Sequence, residues 1–246
     1  MIKRMILNAD DFGLTQGVTI GIIKCHEDEI LTSTTCMMNM PYAEYALNLA
    51  KNYPDLGVGI HLVLTTGRPL ISGSKTLVDG DGNFKKLSEY PKGESNVDLA
   101  ELYTEWQAQI QKFISIAGKK PTHLDSHHAA HLFSHHYEVI THLSKVYDLP
   151  MRQNQQIANN YEFVPCDPSF YGDNLTNELL ESIITNNEET IEIMCHPAYV
   201  DNQLLKTSSY ALQRAKEMEI IRSQQFRKLI KDNQIELINY THLQKL

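Results

Sequence analysis

The chain has 246 residues, 42% of them hydrophobic and 21% charged, which is ordinary globular composition and enough length to bury a sizeable core. Its formal charge of −8 argues against a surface for nucleic acid or anionic membrane. No run approaches the roughly 18 apolar residues that span a bilayer, and the N-terminus lacks a signal-peptide pattern. The four cysteines, Cys25, Cys36, Cys166 and Cys195, form no C-x-x-C pair. Reduced thiols and a cytoplasmic setting are therefore expected.

Apolar runs alternate with segments of helical period along the chain. Lys3–Asn8 reads as a strand and Thr15–Ile30 as a helix that Thr15 caps. Thr34–Met38 is a second strand, Tyr42–Asn52 a helix and Val58–Leu62 a third strand. The stretch Thr65–Asn96 is rich in Gly, Pro, Lys and Ser. A connection of that length is either a functional segment such as a lid or a disordered insertion. Val97–Ala117 is a long helix with Leu102, Trp106, Ile110 and Phe113 on its core face. Thr122–Ser126 is a strand, Ser134–Tyr147 a helix, Pro150–Gln153 a short strand and Asn154–Asn174 irregular. Thr176–Asn186 is a helix, Thr190–Cys195 a strand, Tyr210–Lys231 one long helix and Ile235–Asn239 the last strand. About seven strands, each generally followed by a helix, imply α/β architecture with parallel strands. No composition break separates two domains, so residues 1–246 read as a single distorted, TIM-barrel-like (β/α) barrel.

In such folds the C-terminal ends of the strands build the site. Here those ends carry Asp10 and Asp11, Asn39, His61, Asp125 with His127, Arg152 and His196. Adjacent carboxylates at a strand mouth repel and are costly to desolvate together unless a cation lies between them. Asp11, His61 and His127 make a facial set of two imidazoles and one carboxylate, which leaves positions open for water and substrate. The run from His123 to His131 places His123, Asp125 and His127 on one face of a strand, with His128 and His131 either supporting the ligands or facing substrate. The alternatives are hydrogen-bonded core histidines or an exposed histidine-rich turn. His196, between Cys195 and Pro197, is either a general acid, a substrate contact or a capped strand end, and Cys195 reads as a buried thiol.

Four segments carry a family likeness: Asn8-Ala9-Asp10-Asp11-Phe12-Gly13, Gly59-Ile60-His61-Leu62, His123-Leu124-Asp125-Ser126-His127-His128 and Cys195-His196-Pro197. In this order they resemble the YdjC-like carbohydrate deacetylases, and Arg214-Ala215-Lys216-Glu217 through Tyr240 resembles that family's closing helix and strand. The resemblance implies a homodimer in cytoplasmic sugar catabolism, acting on an N-acetylated oligosaccharide such as a chitooligosaccharide. It also implies a divalent ion, Mg²⁺ with Zn²⁺ as the alternative. Asp11, His61 and His127 look like the metal ligands and Asp10 like the catalytic base, with His196 protonating the departing amine. Arg152 would orient Asp10 or a sugar hydroxyl, and Trp106 and loop tyrosines would stack on sugar faces. Ala129 and Ala130 depart from the family pattern, which often has a third His and a Val there. Hydrolysis of another acylated sugar is the nearest rival function. A metal-independent glycoside hydrolase and a binding protein without turnover are the more distant ones.

Overall fold

The computed structural model describes residues 2–90, 93–153, 160–186 and 189–246. The strands are β1 (Arg4–Phe12), β2 (Ser33–Cys36), β3 (Gly57–Leu62), β4 (Leu124–Ser126), β5 (Cys166–Asp167), β6 (Thr190–Cys195) and β7 (Glu236–Leu237). All pair in parallel in the order β4-β3-β2-β1-β6-β5, with β7 beside the start of β1. The result is a curled parallel sheet rather than a fully laddered barrel. Among the described residues, single bridges alone span the gap between β4 and β5, from Leu124 to Met151 and from Gln153 to Pro165.

The helices are α1 (Gln16–Glu27), α2 (Ala43–Ala50), α3 (Leu99–Ala117), α4 (His136–Tyr147), α5 (Asn177–Asn186), α6 (Asn202–Thr207), α7 (Leu212–Ile221) and α8 (Gln224–Asp232). Thr15 caps α1 through Val18 N–H at 3.2 Å, and Asp98 caps α3. The core face of α3 is as the period implies, with Leu102, Trp106, Ile110 and Phe113 buried.

Three sequence expectations are corrected here. Pro150–Gln153 lies between β4 and β5 and pairs with each through a single parallel bridge rather than a ladder, and a further short strand, β5, lies inside the stretch read as irregular. Pro165 and Pro168 flank β5 and cannot donate to a ladder, which keeps it to two residues. The long C-terminal helix breaks at Ser223, whose hydroxyl accepts Phe226 N–H at 3.1 Å and starts α8. Helix α6 was not expected; Asp201 caps it through Leu204 N–H at 2.8 Å.

Most buried apolar residues form one continuous core between sheet and helices. A smaller cluster of Ile6, Val164, Ile238, Tyr240 and Leu243 is separate. Side chains two apart on a strand share a face, so Ile6, Asn8 and Asp10 rise along one side of β1. That side is polar at its upper end, and the cluster around Ile6 is its floor.

The connection between β3 and α3 is held against α3 by carboxylates. Glu105 accepts Leu70 and Ile71 N–H at 2.9–3.0 Å, and Glu101 accepts Lys75 and Thr76 N–H at 2.9–3.2 Å. Its described residues form an anchored surface segment rather than a disordered insertion.

Candidate metal and active site

Neighbouring residues on a regular strand point to opposite faces. Asp10 and Asp11 escape that rule because Asp11 has φ of 70° and the β1–β2 register shifts between Ala9 and Phe12. A left-handed non-glycine residue costs about 1–3 kcal/mol and persists where its surroundings fix it. Gly13 (φ 87°) continues the turn, and a Cβ there would lie 2.9 Å from Ala43 Cα. Both carboxylates thereby approach one imidazole nitrogen. His61 Nε2 lies 3.4 Å from Asp11 Oδ1 and 4.0 Å from Asp10 Oδ2.

His127 begins a 3₁₀ turn after β4, not a further strand residue, and its Nδ1 lies 3.0 Å from Asp11 Oδ1. Asp11 Oδ1 is buried and receives no hydrogen bond of proper geometry from the described residues, although two imidazole nitrogens lie within 3.4 Å. Three electron-pair donors converging without hydrogen bonds are what a shared cation satisfies. The arrangement behind them agrees. His61 Nδ1 lies 2.7 Å from Asp125 Oδ1, and Thr35 donates its hydroxyl to Asp125 Oδ2 at 2.9 Å. A carboxylate that claims the Nδ1 proton fixes the tautomer and turns the Nε2 lone pair toward the ion. The remaining oxygen of Asp11 accepts from Arg214 Nη2 at 2.6 Å. The residues therefore fit a divalent ion on Asp11 Oδ1, His61 and His127.

The electrostatics favour positive charge at this point. Burial disfavours a charged His61, but Asp125, Asp10 and Asp11 outweigh it and lift the imidazole to about 10. Burial likewise opposes ionisation of Asp11, yet Arg214, His127 and His61 hold its carboxyl well below the usual range.

Beside the cation site lies a buried guanidinium. Arg152 donates from Nη1 to Asp10 Oδ2 at 2.8 Å and from Nη2 to Asp10 Oδ1 at 2.6 Å. It also donates from Nε to Glu192 Oε1 at 2.9 Å and lies 3.1 Å from Asp125 Oδ2. Asn8 Nδ2 adds a third donor to Asp10, at 2.8 Å. Burial pushes Glu192 up despite Arg152 and the Tyr240 hydroxyl that donates to it at 2.5 Å.

Across the cavity, His196 follows β6. Its backbone N–H donates to Glu217 Oε2 and its Nδ1 lies 3.6 Å from Glu217 Oε1, which also accepts the Tyr210 hydroxyl at 2.5 Å. Tyr171 stacks on Tyr210 at 4.2 Å between centroids, and both rings meet His196 edge-on at 5.4–5.6 Å. The cavity these groups border measures about 640 Å³, and Lys86 and Leu87 of the β3–α3 connection close one wall.

Of the residues singled out from the sequence, Asp10, Asp11, His61, His127, His128, Arg152 and His196 border this cavity, and Asp125 stands behind His61. His128 holds Thr65 Oγ1 at 2.8 Å and Ala129 lies on the wall next to it. Asn39 does not reach the cavity: its amide donates to Thr66 O and Arg68 O at 2.9 and 3.2 Å and ties down the connection. Trp106 is fully buried in the core and offers no face to a sugar. The loop tyrosines at the cavity are Tyr171 and Tyr210.

His123 is also displaced from the cavity. It lies face to face on Tyr240 at 3.7 Å, in space that Gly59 leaves open, since a Cβ there would fall 2.4 Å from His123 Nδ1. Burial pushes this imidazole down to about 3. An unfolded histidine gains its proton near 6.5, so between about 3 and 6.5 the unfolded chain holds one proton more and stability rises with pH. Relative to His123→Phe, the unaltered protein is expected to lose about 1.4 kcal/mol per pH unit below about pH 6, measurable by urea unfolding at pH 7 and pH 5. Parallel losses in both proteins would refute it.

Residues missed as site members are Arg214, Glu217, Glu192 and Thr35. Glu192 carried a signal, because a carboxylate in an otherwise apolar strand needs a buried partner. Arg214 and Glu217 share one helix face at three-residue spacing, but nothing local says what that face meets.

Fold and site together define a parallel α/β protein with a candidate carboxylate–imidazole cation site at the C-terminal ends of its strands. The chain belongs to the YdjC-like protein family, whose model matches residues 4–232. It is 40% identical to a carbohydrate deacetylase of Clostridium beijerinckii, over 96% of this chain and 98% of that one. It is 38% identical to a chitooligosaccharide deacetylase of Yersinia enterocolitica, over 98% and 99%. A crystal structure from Enterococcus faecalis, provisionally named a cellobiose-phosphate cleavage protein, superposes with a TM-score of 0.89 at 33% identity, covering 98% of both chains. A family 4 carbohydrate esterase from Streptomyces lividans shares the fold at a TM-score of 0.56 and 10% identity, over 99% and 97%.

Proposed function

We propose that the protein is a metal-dependent carbohydrate deacetylase that hydrolyses the N-acetyl amide of a sugar, with a chitooligosaccharide such as diacetylchitobiose as substrate. The observation that carries this reading is the buried Asp11 Oδ1, unbonded and faced by His61 and His127, at the foot of a cavity of about 640 Å³. The relatives named as carbohydrate and chitooligosaccharide deacetylases support it.

Asp11, His61 and His127 hold the ion, Mg²⁺ with Zn²⁺ as the alternative. Once bound, such an ion polarises a carbonyl and acidifies water. Asp10, held by Arg152 and Asn8 at its cavity edge, accepts the proton of the attacking water. His196, set by Glu217, delivers a proton to the departing amine. Tyr171, half exposed at the mouth, is the aromatic face for a sugar ring. Residues 1–246 act as one unit, in the cytoplasm and as a homodimer. Among the described residues no helix is long and apolar enough to cross a membrane.

Acetate release from N,N′-diacetylchitobiose is expected, lost on chelation and restored by added Mg²⁺ or Zn²⁺. Release unaffected by chelator would refute the metal role. Release of reducing sugar in place of acetate would turn the reading to glycosidic cleavage.

A further inference from the structure

Four buried polar atoms on cavity-lining residues lack a hydrogen-bond partner among the described residues: Asp11 Oδ1, His131 Nε2, His196 Nδ1 and Arg214 Nη1. The first faces the candidate cation site, and the third lies 3.6 Å from Glu217 Oε1. Arg214 Nη1 is the one that belongs to a permanent charge.

Arg214 is 3% exposed, and its Nη2 and Nε each have a partner. Nη2 donates to Asp11 Oδ2 at 2.6 Å and Nε donates to Tyr210 O at 2.7 Å. Those two bonds fix the plane of the guanidinium and with it the position of Nη1. Left unpaired, a buried charged donor on a cavity-lining residue is costly to desolvate, and a ligand oxygen would relieve that cost. The matching ligand is an oxygen that bears negative charge and approaches the Asp11 side of the cavity.

We propose that Arg214 is a catalytic residue whose Nη1 donates to the acyl oxygen of the substrate and then to the carboxylate of the released acid. This rests on the deacetylase assignment and adds a second source of oxyanion stabilisation to it. As water adds to the acyl carbon, the C–O bond forms and the carbonyl π pair moves onto the acyl oxygen. The donor at Nη1 strengthens as that charge grows. When the C–N bond breaks, the nitrogen takes its electron pair and a proton from His196, and the carboxylate leaves from the guanidinium. Arg214 keeps its own protons throughout.

Arg214→Lys keeps a cation beside Asp11 and removes the fork. Three quantities decide the matter: metal affinity of the apoprotein by calorimetry, kcat and KM from acetate release, and the affinity of the metal-loaded protein for acetate. In Arg214→Lys, kcat should fall about 100-fold with KM little changed, metal affinity should stay within about threefold, and acetate affinity should fall about tenfold. Unchanged kcat and acetate affinity would overturn the proposal. So would a kcat that returns to the wild-type level at saturating metal, which would assign Arg214 to holding Asp11 alone. If the unaltered protein releases no acetate, the deacetylase assignment fails separately. Acetate affinity then decides alone: weaker binding in the variant upholds the donor and equal binding removes it. Should Arg214→Lys not fold by circular dichroism, Arg214→Gln is read by the same three measurements.

Discussion

Asp10→Asn is expected to bind the divalent ion as the unaltered protein does while losing turnover by about 10³-fold, the loss typical of a missing general base. The two effects separate because Asp10 lies outside the convergent set. Its nearer oxygen is 4.0 Å from His61 Nε2, against 3.4 Å for Asp11. Every hydrogen bond to Asp10 comes from a donor: Asn8 and Arg152 Nη2 on Oδ1, and Arg152 Nη1 on Oδ2. An amide offers one oxygen and one NH₂, so at least one of those donors must face another donor. That mismatch should cost about 1–3 kcal/mol of stability. Calorimetric metal binding, urea unfolding and kcat at saturating metal measure the three parts independently. A variant that keeps a tenth or more of its turnover would remove Asp10 from the role of base. A variant that loses the ion would place Asp10 among the ligands.

The parts of this site that were legible in the sequence are those in which local chemistry and strand position agree. Asp10, Asp11 and His61 follow apolar runs, and parallel strands buried on both faces read as such runs, while His127 follows the short polar strand Leu124–Ser126. Alternation also gave the right face for His123, but it gives a face and not a depth. His123 lies one step below Asp125, toward the floor, where its ring meets Tyr240 instead of the cavity. Asn39 falls in a turn three residues beyond the end of β2, and its amide is consumed by the backbone of Thr66 and Arg68. Arg214 and Glu217 could not be placed, because a helix face acquires its meaning only when packing brings it over β1 and β6. Strand β5 escaped detection because two residues between prolines have no period to read. The parallel, barrel-like curl is as expected, and the barrel is incomplete at the same point. The β4–β5 gap is crossed by single bridges, and Arg152 enters the interior from there.

That entry carries the second large prediction. Arg152 is the only lysine or arginine among the described residues within ion-pair distance of Asp10, Asp125 and Glu192, all buried. Arg152→Met fills much of the same volume and leaves three carboxylates without it. The expected loss is about 3–5 kcal/mol, the cost of breaking a buried pair by removing one partner. Turnover should fall with it as Asp10 loses two of its three donors. The pH dependence identifies the cause. Without the guanidinium, the buried carboxyls bind protons more readily in the folded than in the unfolded chain, so lowering the pH toward their range should shrink the deficit. Arg152→Met combined with Glu192→Gln removes one of the stranded charges and should be less damaged than the sum of the two single variants, by about 0.5–3 kcal/mol. Urea unfolding at pH 7.5 and pH 5.5 for the four proteins of this cycle tests both points. A deficit independent of pH, with additive single effects, would mean that Arg152 acts through its packing and not through its charge.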